Sequence, residues 1–239
     1  MKIPLVVWIA VWCQLLPLAA ALARPRWLRG PRVGVAIWLV LLVLNDATSW
    51  TWSHWLLLGN NHVVSYVFMP IQGVVVLWAI AQWQVRPLFQ LTVRLCIPLL
   101  LVWWTIDILF LEDVASFSVI GSPVASLLTL AAAMLAIVTR SRDTEVPVLR
   151  QDWLWILIGL AIFFATSATV TIVSGAAIES GEYALAVRAS ILKASIDIIA
   201  FLVMTGGFLW APRQTSSGDS SSPERSPSSS SWSPSWRRS

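Results

Sequence analysis

Arginine occurs on alternate connections between seven apolar stretches of this chain, and that alternation limits the fold more than any motif does. The stretches run over 3–23, 33–52, 62–84, 90–111, 117–138, 153–174 and 184–210. Arg24, Arg26, Arg29 and Arg32 follow the first, Arg86 and Arg94 the third, and Arg140, Arg142 and Arg150 the fifth. Arg213, Arg225, Arg237 and Arg238 follow the seventh. The other connections carry none, and Arg188 sits just inside the seventh stretch. About 20 residues at a rise of ~1.5 Å each cross a hydrocarbon core of ~30 Å. Backbone polar groups in lipid must be satisfied internally, which makes each stretch a helix. The expected fold is therefore all-α: a polytopic membrane protein of seven transmembrane helices. Basic loops stay on the cytoplasmic side, so the N-terminus is expected outside and the C-terminus in the cytoplasm.

Composition excludes the other classes. The chain has 239 residues, 57% hydrophobic and 12% charged, with a formal charge of +4, and its mean hydropathy is +0.75. The positive charge gathers at membrane boundaries, where anionic headgroups attract it, so the implied partner is a lipid bilayer and not nucleic acid. The expected location is a cell membrane, the cytoplasmic membrane of a bacterium. Cys13 and Cys96 lie inside stretches at different depths, which argues against a disulfide between them. Residues 1–210 form the membrane domain, and 211–239 read as a disordered Ser/Pro-rich cytoplasmic tail with little to bury. Lys2, the first apolar run and Ala21-Leu22-Ala23 also suit a signal peptide. Cleavage would put four arginines outside and break the alternation, so an uncleaved first helix is the preferred reading.

Aromatic residues fit the same threading. Trp27, Trp83, Trp153, Trp155 and Trp210 mark the basic boundary, and Trp50, Trp52 and Trp55 the other, as interfacial anchors. Trp103 and Trp104 lie deeper and can line a pocket. Pro17, Pro70, Pro98 and Pro123 fall within stretches and predict kinks.

Ionisable residues inside the membrane are the main functional signal. Asp46, Asp107, Lys193 and Asp197 lie within stretches, with Arg188 near an end. An ionised group at mid-bilayer costs ~2.5–3.5 kcal/mol on insertion scales, so each should be paired, neutral or facing water. At ~1.5 Å per residue, Asp46 sits ~20 Å above the basic end of its helix and Lys193 ~10 Å below the opposite end of its own. In a core of ~30 Å these are the same level. Lys193 and Asp197 share a helical face at i, i+4. We therefore expect Lys193 to meet Asp46 and Asp197, and Asp107 to meet Arg188. Asn61, His62 and Tyr66 extend this cluster outward, with Asn45, His54 and Gln72 beside it. Thr166, Ser167, Thr169 and Thr171 suit interhelical hydrogen bonds.

Other chemistry is poorly supported. Lys193 in the last of seven helices invites comparison with retinal proteins, but the third stretch has no acidic counter-ion. Ser190 to Lys193 spells S-x-x-K without a companion motif. Asp46, His54 and His62 match no metal spacing. No enzymatic activity, metal or cofactor is expected.

The run Gly59-Asn60-Asn61-His62-Val63-Val64-Ser65-Tyr66-Val67-Phe68-Met69-Pro70-Ile71-Gln72 resembles an element of uncharacterised bacterial seven-span proteins. There an Asn-Asn pair precedes a Pro-Ile-Glu-like step at the start of the third helix. Here Gln72 replaces the acid. The Trp153–Thr171 and Ile196–Trp210 segments look similar too, and the resemblance imports no activity. Helix count and an external N-terminus also resemble the sweet-type sugar transporters, whose matched repeat asparagines are missing here. The expected function is a receptor-like or small-ligand-binding membrane protein. Its outward-opening pocket would be formed by Asp46, Asn61, His62, Tyr66, Asp107, Arg188, Lys193 and Asp197, with a protein partner contacting the short loops and tail. The alternatives are a small-solute or proton-coupled transporter and a structural subunit of a membrane complex.

Overall fold

The computed structural model describes residues 4–54, 62–112, 118–143 and 147–210, the His54 side chain excepted. Asn60, Asn61, Trp55 and the expected tail, 211–239, lie outside the described residues. Among the described residues every regular element is helical. Seven helices are long and apolar enough to cross a membrane: α1 Leu5–Leu22, α2 Pro31–Ser53, α3 His62–Trp83, α4 Pro87–Leu111, α5 Gly121–Arg142, α6 Asp152–Glu179 and α7 Tyr183–Trp210.

Two boundaries differ from those expected. The fifth helix starts at Gly121, not 117, and runs on to Arg142. Its start is set by Glu112, which accepts the Val119 and Ile120 backbone N–H groups ahead of the first turn. The sixth helix continues past 174 to Glu179, because Ala176, Ala177 and Ile178 remain apolar and the reversal waits for Gly181 at φ +78°. The start of α5 also removes one expected kink. Pro123 falls in the first turn, where a missing N–H costs nothing.

The other prolines have local consequences. Pro17 withholds the N–H that would bond Cys13, and α1 is interrupted by a turn at Gln14. Pro70 frees the Tyr66 carbonyl of α3. Trp104 on α4 takes it up, donating from Nε1 at 3.2 Å.

The helices close into a ring in the order α1, α2, α3, α5, α6, α7, with α7 returning to α1. Helix α4 lies outside the ring against α3 and α5. Lipid tails are as apolar as leucine, so the hydrophobic effect does little to join these helices; close packing does. The tightest seam is α6 against α7. A Cβ at Gly159 would stand 2.8 Å from the Ala200 carbonyl, and one at Gly207 3.0 Å from the Ile156 nitrogen.

Four helices (α1, α3, α5 and α7) end at the arginine-bearing side, and two arginines serve their exposed carbonyls. Arg24 Nη1 donates to Leu209 O and Arg140 Nη1 to Trp83 O, both at 2.9 Å. Trp83 and Trp153 are not interfacial anchors as expected. They are 3% and 2% exposed, and the Arg140 guanidinium lies 5.1 Å from the Trp153 ring centroid. Each tryptophan fills a gap between helices at the level where Arg32 pairs with Asp152.

Candidate functional site

A cavity of about 190 Å³ with polar groups set in a largely apolar wall occupies the middle of the ring. Those polar groups are mostly hydroxyls: Ser65 from α3, Ser122, Ser126 and Thr129 from α5, Ser167 and Thr171 from α6. Asn45, Gln72 and Lys193 complete the set from α2, α3 and α7. A second chamber of about 120 Å³ adjoins it and shares Ser65, Met69, Ser122 and Thr171. His62, Tyr66, Trp104 and Ser118 line that chamber at the end without arginine loops.

Toward the basic end the cavity has an aromatic floor. Phe163 and Phe164 line it, and Trp38 packs edge-on to Phe163 at 5.2 Å. Beneath them Leu39, Leu77, Ile80, Ile156, Leu157, Leu160 and Met204 are fully buried. The two chambers therefore form a pocket closed by apolar packing toward the basic end.

The pocket owes its polarity to hydroxyls whose backbone needs are already met. Thr129 donates to Ala125 O at 2.9 Å and Thr171 to Ser167 O at 2.7 Å. Thr169 likewise bonds a carbonyl of its own helix, whereas Thr166 contacts Ile162 O and also the Asp197 carboxyl of α7, the interhelical contact expected of it. A β-hydroxyl reaches the i−4 carbonyl more easily than it reaches across a helix seam. Each bonded hydroxyl oxygen keeps lone pairs for a guest.

Lys193 is the charged residue of the pocket wall. Its ammonium bonds Asp197 Oδ2 at 2.5 Å and lies 4.6 Å from the Phe163 ring centroid. The ion pair thus forms within α7. Asp46 is held differently: Gln14 Nε2 of α1 donates to its Oδ2 at 3.0 Å. Asp46 remains within electrostatic range of both Lys193 and Asp197. The turn at Gln14 and the Gln14–Asp46 bond tie the first helix into the bundle, with Gln14 3% exposed.

The expected Asp107–Arg188 pair is not formed. Arg188 is exposed on α7, whereas α4, which carries Asp107, packs on α3 and α5. Asp107 is fully buried in a π-helical turn, Asp107–Leu111, against Gly121. No donor reaches either of its oxygens among the described residues, and its neighbour is the Glu112 carboxyl. Two carboxyls attract only with a proton between them.

Glu112, which sequence reasoning passed over as a loop residue, organises this end. Oε1 accepts Val119 N and Ile120 N at 2.5 Å each, and Oε2 accepts Tyr66 Oη at 2.9 Å. Burial pushes the Glu112 carboxyl up, but donors from Ile120, Ser118, Tyr66 and Val119 outweigh it and hold it below the usual carboxylate range. Tyr66 is thereby oriented beside the outer chamber, and its ring leans on Trp104 at 5.7 Å.

Of the expected site residues, His62, Tyr66 and Lys193 line the two chambers. Asp46 lines a separate groove between α1 and α2. Asp197 supports Lys193, Asp107 supports the chamber wall, Arg188 stands apart, and Asn61 lies outside the described residues. The hydroxyl ladder was legible only as a run of small polar residues on several stretches. Comparison of the chain with protein-family models, with curated proteins and with solved structures finds no match.

Proposed function

We propose that this protein is a receptor-like membrane protein that binds a small polar molecule in the blind pocket of its helix ring. The observation that carries the reading is the pocket itself: two adjoining chambers walled by hydroxyls and Lys193, above an aromatic floor. A wall of neutral donors and acceptors with one internally paired cation suits a guest rich in hydroxyl, carbonyl or amide groups. The inner chamber, at about 190 Å³, favours a guest of roughly ten non-hydrogen atoms or fewer. The sealed floor favours binding over alternating passage.

Arginine placement supports a reading in which the pocket mouth faces outside and the C-terminus the cytoplasm, and the membrane we propose is the cytoplasmic membrane of a bacterium. Val85, 60% exposed on a basic connection, and Ser180 on an arginine-free one give the check. A Ser180→Cys variant should react with an impermeant maleimide on intact cells, and a Val85→Cys variant should not. The opposite pattern would reverse the threading.

Binding is tested by thermal shift of the purified protein against small polyols, amides, amino acids and hydroxy acids. Ser126 is 3% exposed and faces the inner chamber. A Ser126→Leu variant should weaken any hit at least ~10-fold by filling that space, while the empty protein melts no lower. Hits that bind the filled variant equally well would show that the pocket is not the site.

A further inference from the structure

A charged cluster lies behind the pocket wall, where α1, α2 and α7 meet, and its charges do not balance. It contains two carboxylates, Asp46 and Asp197, and one ammonium, Lys193. Helix α1 brings Gln14 and no charged residue between Leu5 and Leu22. Helix α6 brings Thr166 and Phe163, both neutral. On α7 the next cation toward the mouth is Arg188, five positions before Lys193 and exposed. Lys193 bonds Asp197 directly, which leaves Asp46 with neutral donors only: Gln14 at 3.0 Å and the neighbouring Asn45. At this depth a carboxylate without a cation of its own is costly, and the two amide donors solvate its charge without neutralising it.

A second observation points the same way. Asp197 is 8% exposed, and only the Thr166 hydroxyl, already engaged with a carbonyl of its own helix, stands near its second oxygen; Asn45 Oδ1 is buried without a donor. Two carboxylates and one unpartnered amide oxygen are acceptors in search of positive charge. A route to Asp46 exists. Asp46, Ser49 and Ser53 follow one another at helical spacing along the otherwise largely apolar groove between α1 and α2, which continues past Trp50 toward the arginine-free end of α2.

We propose that the Asp46–Lys193–Asp197 cluster binds one exchangeable monovalent cation, either a proton or an alkali ion, entering along the Ser49–Ser53 face of the groove. Uptake brings the cluster from one net negative charge to neutrality. Asp46 is the receiving group, since Lys193 already satisfies one oxygen of Asp197. The cluster shares Lys193 with the wall of the blind pocket, whereas Asp46 is reached from the groove between α1 and α2.

The test uses the purified full chain and no organic ligand. Melting temperature is measured in choline, sodium, lithium and potassium chloride at equal ionic strength, at pH ~8 and pH ~5. The wild-type protein should be least stable in choline at the higher pH and gain a few degrees when positive charge is supplied. A gain with alkali ion at fixed pH assigns the ion, and a gain with pH alone assigns the proton. Asp46→Asn removes the excess charge without changing shape. It should melt in choline at pH ~8 as the compensated wild type does, and respond to neither treatment. Gln14→Leu keeps the charge and removes a donor, so its response should exceed that of the wild type. Equal responses of wild type, Asp46→Asn and Gln14→Leu to both treatments would overturn the proposal. So would an Asp46→Asn protein that melts below the wild type in choline at pH ~8.

Discussion

Replacing Glu112 with alanine should destabilise the bundle by ~3 kcal/mol or more, since charge-assisted hydrogen bonds contribute ~1.5–3 kcal/mol each and are not additive. The variant strands Tyr66 Oη, 4% exposed at the residue level, and the Val119 and Ile120 N–H groups. It also removes an acid placed ahead of the positive end of α5. The effect has a defined pH dependence. The folded Glu112 carboxyl is held below its ordinary 4.5, so its contribution is complete above that value and is lost as pH falls through the lower folded value. The melting difference between wild type and Glu112→Gln should therefore be full at pH ~7 and shrink below pH ~4. A difference that grows on acidification would reverse the assigned sign.

Gly159→Leu should be at least as damaging. Any Cβ there stands 2.8 Å from the Ala200 carbonyl, a backbone atom that cannot turn aside. The α6–α7 seam must part, and overpacking of this kind costs ~1–3 kcal/mol before lost contacts along the seam are counted. Where helix association rests on close approach, that loss propagates along both helices. Gly206 is the control, one residue from the seam glycine Gly207 yet with open space around its would-be Cβ. Gly206→Ala should be neutral or stabilise by up to ~1 kcal/mol through helix propensity. Thermal unfolding in detergent separates the two. Equal melting of both variants would mean that α6 and α7 are not joined at these glycines.

The arginine pattern itself has two causes. Basic residues gather on alternate connections, as the positive-inside rule leads one to expect, and the sequence displays that alternation directly. Arg24 and Arg140 also cap helix ends by donating to Leu209 O and Trp83 O. That role is invisible in the chain, because the acceptors lie 185 and 57 positions away.

Residue depth was readable and residue neighbours were not. Counting helical rises put Asp46 and Lys193 at one level, and the two groups are within electrostatic range. The same counting linked Asp107 to Arg188, which the packing order forbids because α4 sits outside the ring. Gln14 gave no signal, as one amide in an apolar stretch, yet it holds Asp46. Pro70 did carry a usable hint. A proline in a spanning helix frees the carbonyl four residues back, so a donor for Tyr66 O was required, though nothing named Trp104 as that donor.

Sequence alone determined that seven apolar helices form, because transfer to hydrocarbon depends on the length and polarity of each segment by itself. Tertiary structure decided which helix faces which, and with it the hydroxyl-lined pocket, the Glu112 clasp and the charge left over at Asp46. Nearly uniform apolar helices show little difference between faces, so the choice of neighbours falls to a few glycines and polar side chains whose partners are distant in the chain.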